Sequence, residues 1–184
     1  MSKDFFLFLR QTMRSPSGVG AVAPSGRALG RAMASHIDLD NGPVVEIGSG
    51  TGAITRQIMA AAIKPEQLSL FEMNPEFCTR LKLKFNGVTV HNKKAQDMSN
   101  YWQGELGAVI SGLPLLNMPV PVQHEIASSV FCALKPGAPM IQFTYGPKPP
   151  LDEQVRDELG LVYTKAERIW FNLPPATVYL FRKS

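Results

Sequence analysis

The segment with the most chemical information is Val44-Val-Glu-Ile-Gly-Ser-Gly-Thr-Gly52, an apolar run that enters a loop with glycines at 48, 50 and 52. Glycine lets the chain turn sharply and lets a ligand approach the backbone. Dinucleotide loops space their glycines as GxGxxG, and phosphate cradles end in a Gly-Lys pair. This loop is GxGxG, with no lysine at its end and with Glu46 two residues before the first glycine. A carboxylate there repels a pyrophosphate and favours a cation. A second apolar run ends at Leu70-Phe-Glu72, 20 residues beyond Gly52. An acid at the tip of the second strand can accept bonds from both ribose hydroxyls. The pattern calls for a positively charged nucleoside without phosphate.

S-adenosylmethionine meets that description, since it carries an ammonium and a sulfonium. The residues expected to hold it are Glu46, Gly48, Ser49, Gly50, Thr51, Gly52, Glu72 and Met73. A third strand leads into His91-Asn-Lys-Lys-Ala-Gln-Asp97, where Ala95 and Gln96 are expected along the adenine edge. Asp97 is either the acidic contact to the adenine or a helix cap. The fourth strand ends in Val109-Ile-Ser-Gly-Leu-Pro-Leu-Leu116. Ser111 and Gly112 are expected against the cofactor, and Leu113 and Pro114 against the methyl acceptor. Adenine-specific methyltransferases carry an Asn/Asp-Pro-Pro-aromatic loop here, whose ring stacks on the base. This loop has neither ring nor carboxamide, so an aliphatic amine suits it better, unless it is only a Gly-Pro turn closing the sheet. Tyr145 follows the fifth strand and is the first candidate for a group beside the amine, or else a brace at the sheet edge. His124 is the second candidate base, or a solvated helix residue. Neither cysteine, Cys78 or Cys132, has metal-ligand spacing, so no metal is expected.

These residues need a scaffold that brings loop after loop to one edge. Strands are predicted at 44–47, 68–71, 88–90, 108–111, 140–144, 168–171 and 177–181, and helices at 26–37, 53–63, 75–85, 121–134 and 152–159. Strands alternating with helices imply a parallel sheet covered on both faces. The last two strands are separated by Asn172-Leu-Pro-Pro-Ala176 and must pair as an antiparallel hairpin. The expected fold is therefore α/β: the class I methyltransferase, Rossmann-like seven-stranded sheet, with an added N-terminal amphipathic helix.

The net charge of +4 lies entirely in residues 1–36, where Lys3, Arg10, Arg14, Arg27 and Arg31 face Asp4 alone. A charge block of this kind points to an anionic partner. A first helix is predicted over residues 3–14. At helical spacing Phe5, Phe6, Phe8, Leu9 and Met13 share an arc of about 160°, with Lys3, Arg10 and Arg14 on its margin. That pattern suits a helix lying in a membrane interface, although core packing gives a similar stripe. Residues 1–36 are expected to form this helix and a cap over the cofactor, and residues 37–184 the catalytic domain. No apolar run approaches a membrane span. Cysteine usage and the absence of a signal-peptide pattern suggest the cytoplasm.

Gly18-Val-Gly-Ala-Val-Ala-Pro-Ser-Gly26, the glycine loop, Ser111-Gly-Leu-Pro-Leu-Leu116, Gln142-Phe-Thr-Tyr-Gly-Pro147 and Asn172-Leu-Pro-Pro-Ala176 together resemble the bacterial phospholipid N-methyltransferases. Those enzymes methylate phosphatidylethanolamine toward phosphatidylcholine. The resemblance implies S-adenosylmethionine as cofactor, S-adenosylhomocysteine as product, and Ser25 near the cofactor's methionine end. It implies phosphatidylethanolamine and its mono- and dimethylated forms as acceptors. It also implies peripheral attachment to an anionic phospholipid surface at the inner face of the cell membrane. A monomer is expected, with no nucleic-acid partner. The lineage is also similar to the rRNA adenine dimethylases, which makes an RNA adenine the competing acceptor. Against that stand the missing stacking ring and the missing C-terminal helical domain.

Overall fold

Short runs of branched and aliphatic residues buried on both faces build the centre of a parallel sheet. In the computed structural model, which describes residues 24–145, 148–170 and 175–184, β1 (Val44–Ile47) and β4 (Ala108–Ser111) are buried at every position. They pair in parallel, Val44 opposite Ala108 and Ile47 opposite Ser111. β2 (Leu68–Phe71) and β3 (Thr89–His91) extend the sheet on one side. β5 (Met140–Thr144) extends it on the other. β7 (Ala176–Lys183) runs antiparallel to β5 and pairs with the outer strand β6 (Leu161–Ile169). The seven described strands lie in the order β3-β2-β1-β4-β5-β7-β6. Connections leave β1 toward β2 on one side and return to β4 on the other. The switch point therefore falls between the carboxyl ends of β1 and β4, where open α/β sheets bind ligands.

Alternation along each strand feeds two cores. Val45, Ile47, Val109, Met140, Tyr179 and Phe181 face α4 (Val120–Ala133) and α5 (Glu153–Glu158). Val44, Leu68, Leu70, Ile110, Ile141 and Val178 face α1 (Pro24–Ala34), α2 (Ala53–Ala60) and α3 (Pro75–Lys84). Each fully buried aliphatic side chain contributes about 1.5–3 kcal/mol through removal from water. Local signals set the helix starts. Asn74 accepts bonds from the backbone N–H groups of Glu76 and Phe77, with Pro75 in the first turn, and Asp152 caps α5 through the N–H of Gln154. Leu29, Ala32 and Met33 are buried, so α1 shares the core of the sheet.

The seven strands, the terminal hairpin and the helices on both faces are as the sequence predicts. The outer strand is the exception, since it starts at Leu161 where the prediction was 168–171. Its apolar signal is diluted because an outer strand exposes both Thr164 and Lys165, and a register shift between Lys165 and Glu167 breaks the alternation. The predicted helix at 26–37 spans Pro24–Ala34, and a 3-10 turn over Ala95–Asn100 was not foreseen. Lys3, Phe5, Phe6, Phe8, Leu9, Arg10, Met13 and Arg14 lie outside the described residues, as do 171–174 of the hairpin turn.

Candidate active site

The carboxyl ends of β1, β2 and β4 are stitched together by their backbones. Gly48 N–H donates to the Phe71 carbonyl (2.8 Å) and Gly112 N–H to the Ile47 carbonyl (2.9 Å). Gly48, Gly50 and Gly52 all have left-handed backbones, with φ of 72°, 51° and 76°. Two glycines are also required by contact. A Cβ at Gly48 would stand 2.5 Å from Leu113 Cδ2, and one at Gly112 would stand 2.7 Å from the Gly48 carbonyl oxygen. The loops after β1 and β4 thus touch at the switch point.

Both predicted acids are buried beside this junction. Glu72 Oε2 accepts the Gly50 N–H and Oε1 the Asn74 N–H, both at 2.8 Å. Glu72 therefore braces the glycine loop, and each of its oxygens keeps a lone pair for a further donor. Glu46 lies beneath the loop, fully buried. Thr55 Oγ1 donates to its Oε2 at 2.6 Å, while Oε1 has no partner among the described residues. Burial pushes the Glu46 pKa up to about 8, opposed by the Thr55 bonds and aided by the Glu72 charge.

A cavity of about 390 Å³ opens against this junction. Gly48, Glu72, Met73, Ala95, Gln96, Gly112, Leu113 and Pro114, all expected in the site, line it. Glu46 and the turn residues Ser49, Gly50, Thr51 and Gly52 do not border it. Ser49 Oγ donates to the Glu46 carbonyl at 3.4 Å, and the Thr51 carbonyl accepts from Lys84 Nζ at 2.9 Å. The buried Ser111 hydroxyl accepts the Leu113 N–H at 3.3 Å. Ser25 lies in the first turn of α1.

Asp97 turns away from the cavity. Its Oδ2 accepts the Lys94 N–H at 3.3 Å at the start of the 3-10 turn. The acid on that wall is Glu125 of α4, whose Oε2 accepts from Gln96 Nε2 at 3.3 Å. Sequence reading missed Glu125 together with Met118, Val122 and Ile126, which also line the wall. Met118, Val122 and Ile126 are spaced by four, a signal that could have found that stripe, whereas Glu125 falls off it. Also missed was buried Gln142, whose Nε2 donates to the carbonyls of Leu113 (2.9 Å) and Phe143 (3.0 Å) and ties the β4 loop to β5.

The two candidate bases diverge. His124 faces α5, with Nε2 3.4 Å from Glu158 Oε2 and Nδ1 3.4 Å from Ser128 Oγ, and it does not line the cavity. Tyr145 is 54% exposed at the tip of β5, edge-on to Phe143, and borders a second cavity beside β6 and β7.

Comparison with known proteins agrees with this geometry. A 2.00 Å crystal structure of a TehB-like SAM-dependent methyltransferase from Corynebacterium glutamicum superposes with a TM-score of 0.68, covering 100% of both chains at 12% identity. A didemethyltoxoflavin N1-methyltransferase from Burkholderia thailandensis, solved with S-adenosylhomocysteine, gives 0.66 over 98% of this chain and 86% of that one, at 10% identity. The fold is the class I methyltransferase fold. The family model for ribosomal RNA adenine dimethylase matches residues 31–101, which run from α1 to the 3-10 turn and end before the β4 loop. An ornithine lipid N-methyltransferase from Singulisphaera acidiphila is 29% identical over 98% of this chain and 96% of its own length. That relative is named for ornithine lipid, where the sequence resemblance implied phosphatidylethanolamine.

The donor set fits S-adenosylmethionine. Glu72 borders the cavity with acceptors to spare for ribose hydroxyls, the apolar wall of Phe71, Met118 and Val122 suits an adenine, and Glu46, with an oxygen free of described partners, lies behind the glycine loop without bordering the cavity.

Proposed function

We propose that this chain methylates the amine of a lipid headgroup at a membrane surface, with phosphatidylethanolamine and its partly methylated forms as the acceptors. Ornithine lipid, the substrate class of the relative, is the second acceptor of the same chemistry. When bound, S-adenosylmethionine supplies an electrophilic methyl group on a sulfonium. Glu46 and the glycine loop would hold its amino-acid end, Glu72 its ribose, and Gln96 with Glu125 its adenine edge.

What carries the proposal is the acceptor side of the cavity. Gly112, Leu113 and Pro114 border it, and the loop from Ser111 to Leu116 holds no ring to stack on a base. An alkyl ammonium titrates near ~10 in water, and only its neutral form has a lone pair. Apolar surroundings favour that neutral form. Gln142 fixes the β4 loop against β5, so this chain's task is alignment of the nitrogen with the methyl group, which is chiefly a proximity effect. Tyr145 makes no hydrogen bond with a described residue, which leaves its hydroxyl open to the amine or to a water.

Among the described residues no helix is long and apolar enough to cross a membrane. We assign membrane contact to residues 1–14 and a cap over the cofactor to residues 1–36, with the chain acting as a monomer on the cytoplasmic face. An RNA adenine is the competing acceptor, favoured by the family-model match. That match covers the cofactor half of the chain only. Incubation with methyl-labelled cofactor and, separately, phosphatidylethanolamine, ornithine lipid and RNA tests the proposal. Label in either lipid is the expected result, and label in RNA alone would overturn it.

A further inference from the structure

The outer hairpin sorts its charges by face. In β6, Lys165 pairs with Tyr179, Glu167 with Val178 and Arg168 with Thr177, which leaves Ala166 as an extra residue in a bulge. In an uninterrupted strand, residues three apart point to opposite faces. The bulge resets the alternation, so Lys165 and Arg168 share the face of Tyr179 and Thr177. Glu167 goes to the opposite face with Val178, where its Oε1 stands 3.5 Å from His36 Nε2. Bulges recur beside active sites, where they re-aim side chains.

The two cations border a cavity of about 400 Å³ that Thr177, Tyr179 and Tyr145 also line. Glu167 touches its margin while its carboxylate is turned to His36. Neither Lys165 nor Arg168 forms an ion pair with a described residue. The Arg168 guanidinium carbon sits 4.2 Å over the Trp170 ring. A guanidinium stacked on a ring keeps its N–H donors at its edge, ready for an anion. Thr177 pairs with Thr144 at the end of β5, and Tyr145 follows, so the cavity begins one strand beyond the β5 tip. Lys165 and Arg168 stand on β6, two strands from β5 and roughly 10 Å from it at the backbone, a gap their long side chains narrow toward the few bonds that separate amine and anion in a headgroup.

We propose that this cavity is an anion subsite in which Lys165 and Arg168 hold the phosphate or carboxylate next to the reacting amine of a zwitterionic headgroup, an assignment that rests on the lipid-amine function proposed above. The phosphodiester of phosphatidylethanolamine and the carboxylate of ornithine present that shared chemistry. The bulge supplies two donors to it and points the carboxylate of Glu167, which also lines it, toward His36.

The test uses the full chain saturated with S-adenosylhomocysteine. Glycerophosphoethanolamine is titrated in by 31P NMR and carboxyl-labelled ornithine by 13C NMR, which separates the two sources of the anion. The wild-type chain broadens at least one of these resonances, and in the K165Q/R168Q variant the affinity falls roughly tenfold. Adenosylhomocysteine affinity is unchanged in that variant. In detergent micelles its KM for lipid rises while kcat holds. An equal headgroup response from the two proteins would overturn the subsite alone. So would a loss confined to RNA binding. Failure of the wild-type chain to bind adenosylhomocysteine would remove the proposed function and the subsite with it.

Discussion

Replacing Glu46 with glutamine probes the electrostatics beneath the glycine loop. The fully buried carboxyl has a pKa raised from 4.5 to about 8, with one oxygen bonded to Thr55 and the other bare. Because the folded-state pKa lies above the unfolded one, the folded chain binds the proton more tightly. This stabilisation is fully present below pH 4.5 and is lost as pH rises through about 8. A pKa unit is worth about 1.4 kcal/mol, so the interval between those values amounts to roughly 5 kcal/mol. Glutamine copies the protonated acid in shape and keeps an acceptor for Thr55, but it does not titrate. Urea unfolding from pH 5 to pH 9 should therefore show Glu46→Gln and wild type nearly equal at the acid end. The variant should gain by several kcal/mol at the alkaline end. Cofactor binding moves the other way, because an ammonium at the bare oxygen favours the carboxylate. Calorimetry at pH 7 in buffers of different ionisation enthalpy should find proton release in wild type and none in the variant, with weaker binding in the variant. A stability difference that stays flat with pH would show that Glu46 carries no trapped proton.

Three further perturbations separate the roles of the other elements. Gly48→Ala places a Cβ 2.5 Å from Leu113 in a left-handed backbone, and it should cost roughly 2 kcal/mol or more in thermal unfolding along with adenosylhomocysteine binding. Removing residues 1–14 should abolish sedimentation with anionic vesicles and leave the melting temperature in place. Equal sedimentation of the two forms would exclude a membrane role for that segment. Tyr145→Phe keeps the ring on Phe143, so a fall in turnover on lipid would locate the effect in the hydroxyl, and unchanged turnover would exclude a required one.

Legibility in the sequence followed how local each signal is. The run from Val44 to Gly52 and the acid at Glu72 declare strand, loop and ligand charge within one βα unit each, and the structure brings them together at the switch point. The wall across from them comes from α4. Glu125 meets Gln96 only because α4 packs over the 3-10 turn, a tertiary contact that short-range spacing cannot encode. Asp97 lay in the right segment, but a backbone N–H three residues away holds its carboxylate. The outer strand β6 was half hidden because an exposed edge has few apolar residues to alternate, and the extra Ala166 shifts those it has. That irregularity puts Lys165 and Arg168 on one face.

The most direct measurement is a calorimetric titration of S-adenosylhomocysteine into the wild-type chain and into Glu72→Ala. The carboxylate of Glu72 holds the Gly50 and Asn74 N–H groups and lines the 390 Å³ cavity, so its removal should abolish most of the affinity while the circular dichroism spectrum stays unchanged. Equal binding by both proteins, or no binding by either, would contradict a cofactor site at the β1–β4 switch point.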